Sequence, residues 1–371
     1  MSKFNKLFDK SRFIAIFKFY AAITKLKTPG IEDVVLNVVK KYSRELGYSI
    51  AEEVKVLMVS LLHCLYEAQD PSLCESVARQ LQHRLDLRYT TLTPSDCLCI
   101  GYFLAHVCKM AAGQFKVNLG SCSTGDLGCK YLVSGLYKYL DTDSAVTTLL
   151  HMDMRLRNTI SHHGFSHLST LIKIDCINYL KLSFNNLLLK QDIVDASFYK
   201  QLQSNTTLQV LWLQGCGLNS LSAEHLAEAL TTNKYLKKLF LSVNALCDDG
   251  IQHLAHTLRV NQGLEELHLE SCGMTDVGLE CLIKSLQHNN VLNRLYVGNL
   301  SRNHNRLTEK IVPVLIECLQ NNCSLTKLSL PGNLKSSTAS IEEAVNNMRK
   351  RNALPFIEVT GRSIHVPVPF K

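Results

Sequence analysis

The sequence contains no uninterrupted apolar run of roughly 18 residues, the shortest that would span a bilayer as a helix. The most apolar N-terminal stretch, residues 13–23, is broken by Lys18 and is too short. No C-x-x-C pair occurs, which removes the common zinc arrangements. No G-x-x-x-x-G-K-[ST] loop occurs, so the N–H cradle and lysine that grip a nucleotide phosphate are missing. No Gly-x-Ser-x-Gly elbow occurs, and no catalytic triad is visible. The paired carboxylates Glu265 and Glu266 are strand neighbours with opposite side-chain directions, so they do not converge as an acid/base pair. His162 and His163 sit in a turn without further ligands, while His253 and His256 lie on one helix beside the core residues Leu254 and Leu258. Together these absences lead us to expect no enzyme, no metal and no cofactor. Tryptophan is also scarce, with a single copy at Trp212.

What is present is cysteine, 14 residues of it, in a chain of 371 that is 46% hydrophobic. Several fall at repeating core or turn positions, which fits reduced thiols packed as small hydrophobes and a cytoplasmic location. The net charge is +8. Lys3, Lys6, Lys10, Arg12, Lys18, Lys25 and Lys27 face a single Asp9 at the N-terminus, as on a solvated helix face. A mitochondrial presequence is the runner-up for this segment, weakened by Asp9 and by scarce serine. Without interleaved aromatics the segment does not resemble a nucleic-acid-binding arm.

The strongest signal is a repeat. Leu-x-x-Leu-x-Leu starts at Leu208, Leu236, Leu264, Leu292 (sixth position Val297) and Leu325, with steps of 28, 28, 28 and 33 residues. From Leu236, the alternation of Leu239 and Leu241 gives a short strand, and Gly250, Leu254 and Leu258 follow at helical spacing. One such unit cannot bury its own leucines, so neighbours must stack into a solenoid with strands inside and helices outside. Each aliphatic buried this way contributes about 1.5–3 kcal/mol. The frame continues upstream through Leu180, Leu182 and Asn185, then through degenerate copies at Met152, Met154 and Asn158 and at Val117, Leu119 and Cys122. This gives eight repeats and a solenoid over residues 112–340, followed by a cap and tail over 341–371.

Where strand turns to helix, backbone groups are buried without ladder partners, and a short side chain with hydrogen-bonding capacity must satisfy them. Asn185, Cys216, Asn244, Cys272 and Asn305 alternate amide with thiol at this position. The pattern resembles the ribonuclease-inhibitor class of leucine-rich repeats, which implies an α/β solenoid with a curved parallel sheet and outer helices.

Residues 1–111 read instead as an all-α domain: helices are expected over 13–26, 31–46, 50–68 and 72–85, with another opened by Thr93 and Pro94. The segments Phe19-Tyr20-Ala21-Ala22-Ile23-Thr24-Lys25-Leu26, Leu61-Leu62-His63-Cys64-Leu65-Tyr66-Glu67-Ala68 and Leu92-Thr93-Pro94-Ser95-Asp96-Cys97 resemble the helical region between the NACHT ATPase and the repeats of NOD-like receptors. The resemblance implies the regulatory C-terminal half of an innate-immune receptor, a ligand-sensing module joined to a NACHT-type signalling assembly. The missing phosphate loop departs from that family, and leaves a receptor fragment and a stand-alone regulator equally open.

A partner would meet the fifth position of each repeat, which lies between the two buried residues and points to the other side of the sheet, the concave face of a solenoid. That column reads Lys181, Trp212, Phe240, His268, Tyr296, Ser329, with rings on four consecutive repeats. Contiguous exposed aromatics are typical interface anchors, although strand positions favour rings for packing alone. Lys237 and Lys238, then Glu265, Glu266 and Glu270, then Arg294 would frame the column with bands of alternating charge. The inserted segment 298–304 adds a second, polar candidate at one rim. The expected function is therefore non-catalytic capture of a protein or peptide. The alternatives are activation of a small GTPase in the manner of Ran GTPase-activating proteins, and inhibition of an enzyme by blocking its active site.

Overall fold

The computed structural model describes residues 39–361 except 41, 45–49, 141–145, 186, 188–195, 301–304, 321, 352–354 and 356. The basic N-terminal segment, the helix expected over 13–26, most of that over 31–46 and the Pro-Val-Pro-Phe tail lie outside the described residues. The chain divides into two compact units, Met1–Asn178 and Tyr179–Lys371.

The first unit opens with helices Glu52–Ala68 and Pro71–Gln80. Asp70 starts the second of these by accepting from the backbone N–H groups of Ser72 and Leu73. The sequence pattern continues this helix to Leu85, but Gln82 and His83 adopt left-handed backbone (φ 50° and 61°) and turn the chain into a strand. That strand, β1 (Arg84–Asp86), runs parallel to β2 (Gly113–Asn118), which runs parallel to β3 (Thr148–Asp153). Leu85, Leu87, Thr90 and Leu92 are all buried, in the same spacing as the repeats that follow. A repeat unit thus sits inside the segment whose helical periodicity had suggested helices only. Its helix, Pro94–Cys108, begins with a capping box between Thr93 and Asp96. It lies so close to helix Gly125–Tyr139 that a Cβ on Gly101 would fall 2.2 Å from the Leu132 carbonyl oxygen.

From Ile177 onward seven parallel strands follow in chain order: β4 (Ile177–Lys181), β5 (Val210–Trp212), β6 (Lys238–Phe240), β7 (Glu266–His268), β8 (Arg294–Tyr296), β9 (Lys327–Leu330) and β10 (Glu358–Gly361). A helix returns the chain between successive strands, for example Ser220–Thr232, Cys247–Leu258 and Asp276–Leu286. Leu236, Leu239 and Leu241, like Leu264, Leu267 and Leu269, are at most 1% exposed. This is a leucine-rich-repeat solenoid, a parallel sheet flanked by helices.

The strand-to-helix turns show why amide and thiol alternate. Asn244 Oδ1 accepts from the N–H groups of Cys216 and Leu218, both at 3.0 Å, while its Nδ2 donates to the carbonyls of Leu213 and Leu241. Asn305 does the same for Cys272 and Met274, and Asn158 for Cys122 and Thr124. The cysteine's own N–H is thereby satisfied by the next repeat, and its thiol needs only to reach backward. Cys216 Sγ donates to Leu182 O at 3.3 Å and Cys272 Sγ to Leu241 O at 3.5 Å. Burial pushes the Cys216 thiol up to about 12, so it stays a protonated donor.

A second polar row lies at the helix-to-strand turns, where sequence patterning had assigned no role. Asn233, Asn261, Asn289 and Asn322 each donate through Nδ2 to two carbonyls of the preceding repeat. Each also accepts, through Oδ1, from the N–H of the leucine that starts its own repeat. The row ends at Arg349 of helix Lys335–Arg351, fully buried, whose guanidinium donates to Leu325 O and Asn322 O. The spacing of 28 between Asn205, Asn233, Asn261 and Asn289 was the available signal.

Candidate protein-binding surface

The short strands β5 to β8 put one fifth-position residue each in direct register, Trp212 opposite Phe240, Phe240 opposite His268, His268 opposite Tyr296. Strand spacing brings rings within stacking reach, and all four stack. Ring centroids are 3.8, 4.2 and 4.0 Å apart, with interplanar angles of 17°, 21° and 8°. Lys181 Nζ lies 4.6 Å from the Trp212 ring centroid and closes that end by a cation–π contact. All four rings are half-buried, and their alternating leucine neighbours face the helices. The ring faces inside the stack are therefore occupied by each other, and along it the column offers its edges outward.

The charged residues fall beside this column and pair with one another. Glu266, with its side chain 10% exposed, meets Lys238 Nζ at 3.0 Å, Arg294 Nη1 at 3.4 Å and His268 Nε2 at 2.9 Å. Its carboxyl is held down at about 2 by the hydrogen bond with His268, which together with Lys238 outweighs burial. Glu270 Oε1 lies 3.3 Å from the other imidazole nitrogen, Nδ1, and Glu270 accepts from Ser242 Oγ at 2.5 Å. Lys237 pairs with Glu265 at 3.2 Å just ahead of the strands, outside this cluster. The alternating charges thus form cross-strand ion pairs within the surface, where spacing alone had suggested open bands. In the inserted segment, Leu300 N–H donates to Ser271 Oγ, and 301–304 lie outside the described residues.

His253 and His256 line a shallow groove on the helix side with Ser220, Glu224 and Asp249, and among the described residues no group of His, Cys, Asp or Glu is placed to hold a metal ion. In the first unit, Cys99 Sγ lies 3.3 Å from His63 Nδ1, and His63 Nε2 lies 2.8 Å from Asp96. This thiol–imidazole–carboxylate chain was not visible in the sequence, because 33 and 36 residues separate its members. All three residues are at most 2% exposed, so the chain ties helix Glu52–Ala68 to helix Pro94–Cys108 and offers no access to a substrate.

Comparison with known proteins gives the family signal. Residues 218–353, less than half of the chain, match the family model of the TMOD/LMOD leucine-rich domain. No curated protein matches the sequence. Among solved structures, actin-binding site 2 of leiomodin-1 is similar, with 20% identity, 44% of this chain and 91% of that chain covered, and a TM-score of 0.38. The tropomodulin C-terminal domain of Caenorhabditis elegans matches with 18% identity, 44% and 96% coverage, and a TM-score of 0.37. The expected kinship with NOD-like receptors is corrected by the family match, and with it the innate-immune, NACHT-assembly and GTPase-activating expectations. The helical motifs that suggested it are short, and amphipathic helices of that length recur in unrelated folds. The repeats of this chain are similar to the tropomodulin and leiomodin leucine-rich domain over residues 218–353.

Proposed function

We propose that this chain is a protein-binding scaffold whose partner docks along the open sheet face, on Trp212, Phe240, His268 and Tyr296 with Lys238, Glu266, Glu270 and Arg294 beside them and Lys237 at the rim. The observation that carries this is the unbroken four-ring stack on the sheet face opposite the helices. A fixed, half-buried aromatic strip loses little side-chain entropy on binding, which suits an interface anchor. The first partner to test is actin, named for the leiomodin-1 segment, because the family match covers residues 218–353 and so includes β6 to β8. The eleven buried free cysteines support a reducing, cytoplasmic setting. The amide–thiol alternation of Cys216, Asn244, Cys272 and Asn305 supports the ribonuclease-inhibitor class of repeat.

The test is co-sedimentation with filamentous actin and pull-down of monomeric actin, using the full chain and a Trp212→Ala/Phe240→Ala double variant. The double variant should keep its helical circular dichroism and lose at least about tenfold in affinity, the effect of removing an aromatic anchor worth over 1.4 kcal/mol. Absence of binding by the unmodified chain in both actin states overturns actin as partner. Equal affinity of a folded double variant overturns the strip as the site.

A further inference from the structure

We propose that His268 is held as an imidazolium at the centre of the ring stack, and that losing its proton opens the stack and weakens capture on this face. The capture clause rests on the function proposed above, whereas the charge state rests on geometry alone. A neutral imidazole has one N–H and one lone pair. Both nitrogens of His268 face carboxylate oxygens, Nε2 toward Glu266 at 2.9 Å and Nδ1 toward Glu270 at 3.3 Å. Either neutral tautomer would set a nitrogen lone pair against a carboxylate, and only the doubly protonated ring satisfies both.

The carboxylates are not free to turn aside. Glu266 is fixed from β6 by Lys238 and from β8 by Arg294, and Glu270 is fixed by the Ser242 hydroxyl. The ring faces are closed by Phe240 and Tyr296, so the charge sits between two π-clouds that favour a cation. The groups facing His268 are therefore two anions on its own strand segment, the cations Lys238 and Arg294 behind Glu266, and the Tyr296 phenol. Burial acts against the charge, but the hydrogen bonds to Glu266 and Glu270 outweigh it and raise the imidazole above its usual value. Once the proton leaves, Glu270 keeps Ser242 as its hydrogen-bond donor but loses its nearest cation. Repulsion then pushes the ring out of line between Phe240 and Tyr296.

The experiment is a titration of the full chain carrying isotope-labelled histidine, read by the ring nitrogen and carbon resonances between pH 5.5 and 9.5, with His268 assigned by its loss in His268→Gln. Both ring nitrogens should be protonated at pH 7, with a transition above the ordinary value of about 6.5. Glu270→Gln should lower that transition by about one pH unit. A transition at or below the ordinary value, or one that Glu270→Gln leaves in place, overturns the imidazolium. In parallel, actin affinity is measured across the same pH range. Affinity should fall about tenfold through the His268 transition, and His268→Phe, which stacks without charge, should remove that dependence. Flat affinity across a transition seen by resonance overturns the switch. Should actin bind at no pH, the partner assignment fails while the titration still decides the charge state.

Discussion

Asn261 shows how much one small side chain does in this fold. Its amide donates to the carbonyls of Leu230 and Asn233 and accepts from the N–H groups of Gly263 and Leu264, all buried. Asn261→Ala strands four backbone groups, and at about 1–3 kcal/mol for each unsatisfied group that does not relax, a loss of about 2–4 kcal/mol is expected in urea unfolding. An exposed asparagine changed the same way should cost under about 0.5 kcal/mol. Glu266 gives a pH signature. Its carboxyl is depressed to about 2 from an ordinary 4.5 in the folded state. A depressed acid stabilises the fold above its unfolded value and loses that contribution as pH falls through the folded one. Melting temperature should therefore drop between pH 4.5 and 2, and the drop should be smaller in Glu266→Gln. At this scale the sequence exposed the ring column, since a strict period assigns every side chain to a face. It could not expose the use of ring faces by one another, because spacing sets strand position but not side-chain rotation. Nor could it show that Lys238 and Arg294 converge on one carboxylate.

The elements are coupled at their ends as well as through their leucines. Asp248, in the first turn of helix Cys247–Leu258, accepts from the N–H and hydroxyl of Thr275 and from the N–H of Gly278, at the start of the next helix. A Cβ on Gly278 would lie 2.5 Å from the same carboxylate oxygen, which is why that position carries glycine. Asp126 repeats the arrangement with Ser161 and Gly164, and Asp276 contacts Thr308. Asp248→Ala should leave the strands paired while backbone hydrogen exchange at Thr275 and Gly278 accelerates about tenfold, the effect of losing one hydrogen bond of about 1.4 kcal/mol. Unchanged exchange there would show that the leucine core alone holds the helix ends together. Helices and strands of the second unit were legible because 28 residues repeat with leucine at fixed places. β1 was not, because Leu85 pairs with Val117, a step of 32 residues that departs from the 28-residue period, and its entry turn uses Gln82 and His83 in place of glycine.

At the scale of the whole molecule, the thiols report on burial everywhere at once. All 14 cysteines are free, eleven are buried, Cys281 is half-exposed, and Cys247 and Cys323 are exposed. Burial pushes thiols such as Cys64, Cys74 and Cys122 up to about 12, which removes reactive thiolate as well as access. A thiol reagent at pH 8 should modify Cys247 and Cys323 quickly and Cys281 more slowly, with the other eleven reacting only on unfolding. Rapid modification of five or more in the native chain would contradict this packing. Cysteine spacing alone did suggest reduced core thiols. It did not reveal that Cys216 and Cys272 depend on the following Asn244 and Asn305 to satisfy their N–H groups.

In the helix-to-strand row each rung draws its acceptors from the repeat before it and passes its own carbonyl to the repeat after it, so entry and exit match at every step, whereas the strand-to-helix row alternates asparagine with cysteine and matches at every second step. The step of 33 residues between Asn289 and Asn322, and between Cys272 and Asn305, leaves both rows unbroken. Such a chain can lengthen by pairs of repeats copied in tandem, with no new chemistry needed at the joint. After Asn322 a guanidinium, that of Arg349, takes the place of the next amide and meets the carbonyls of Asn322 and Leu325, so a copied unit would join ahead of it.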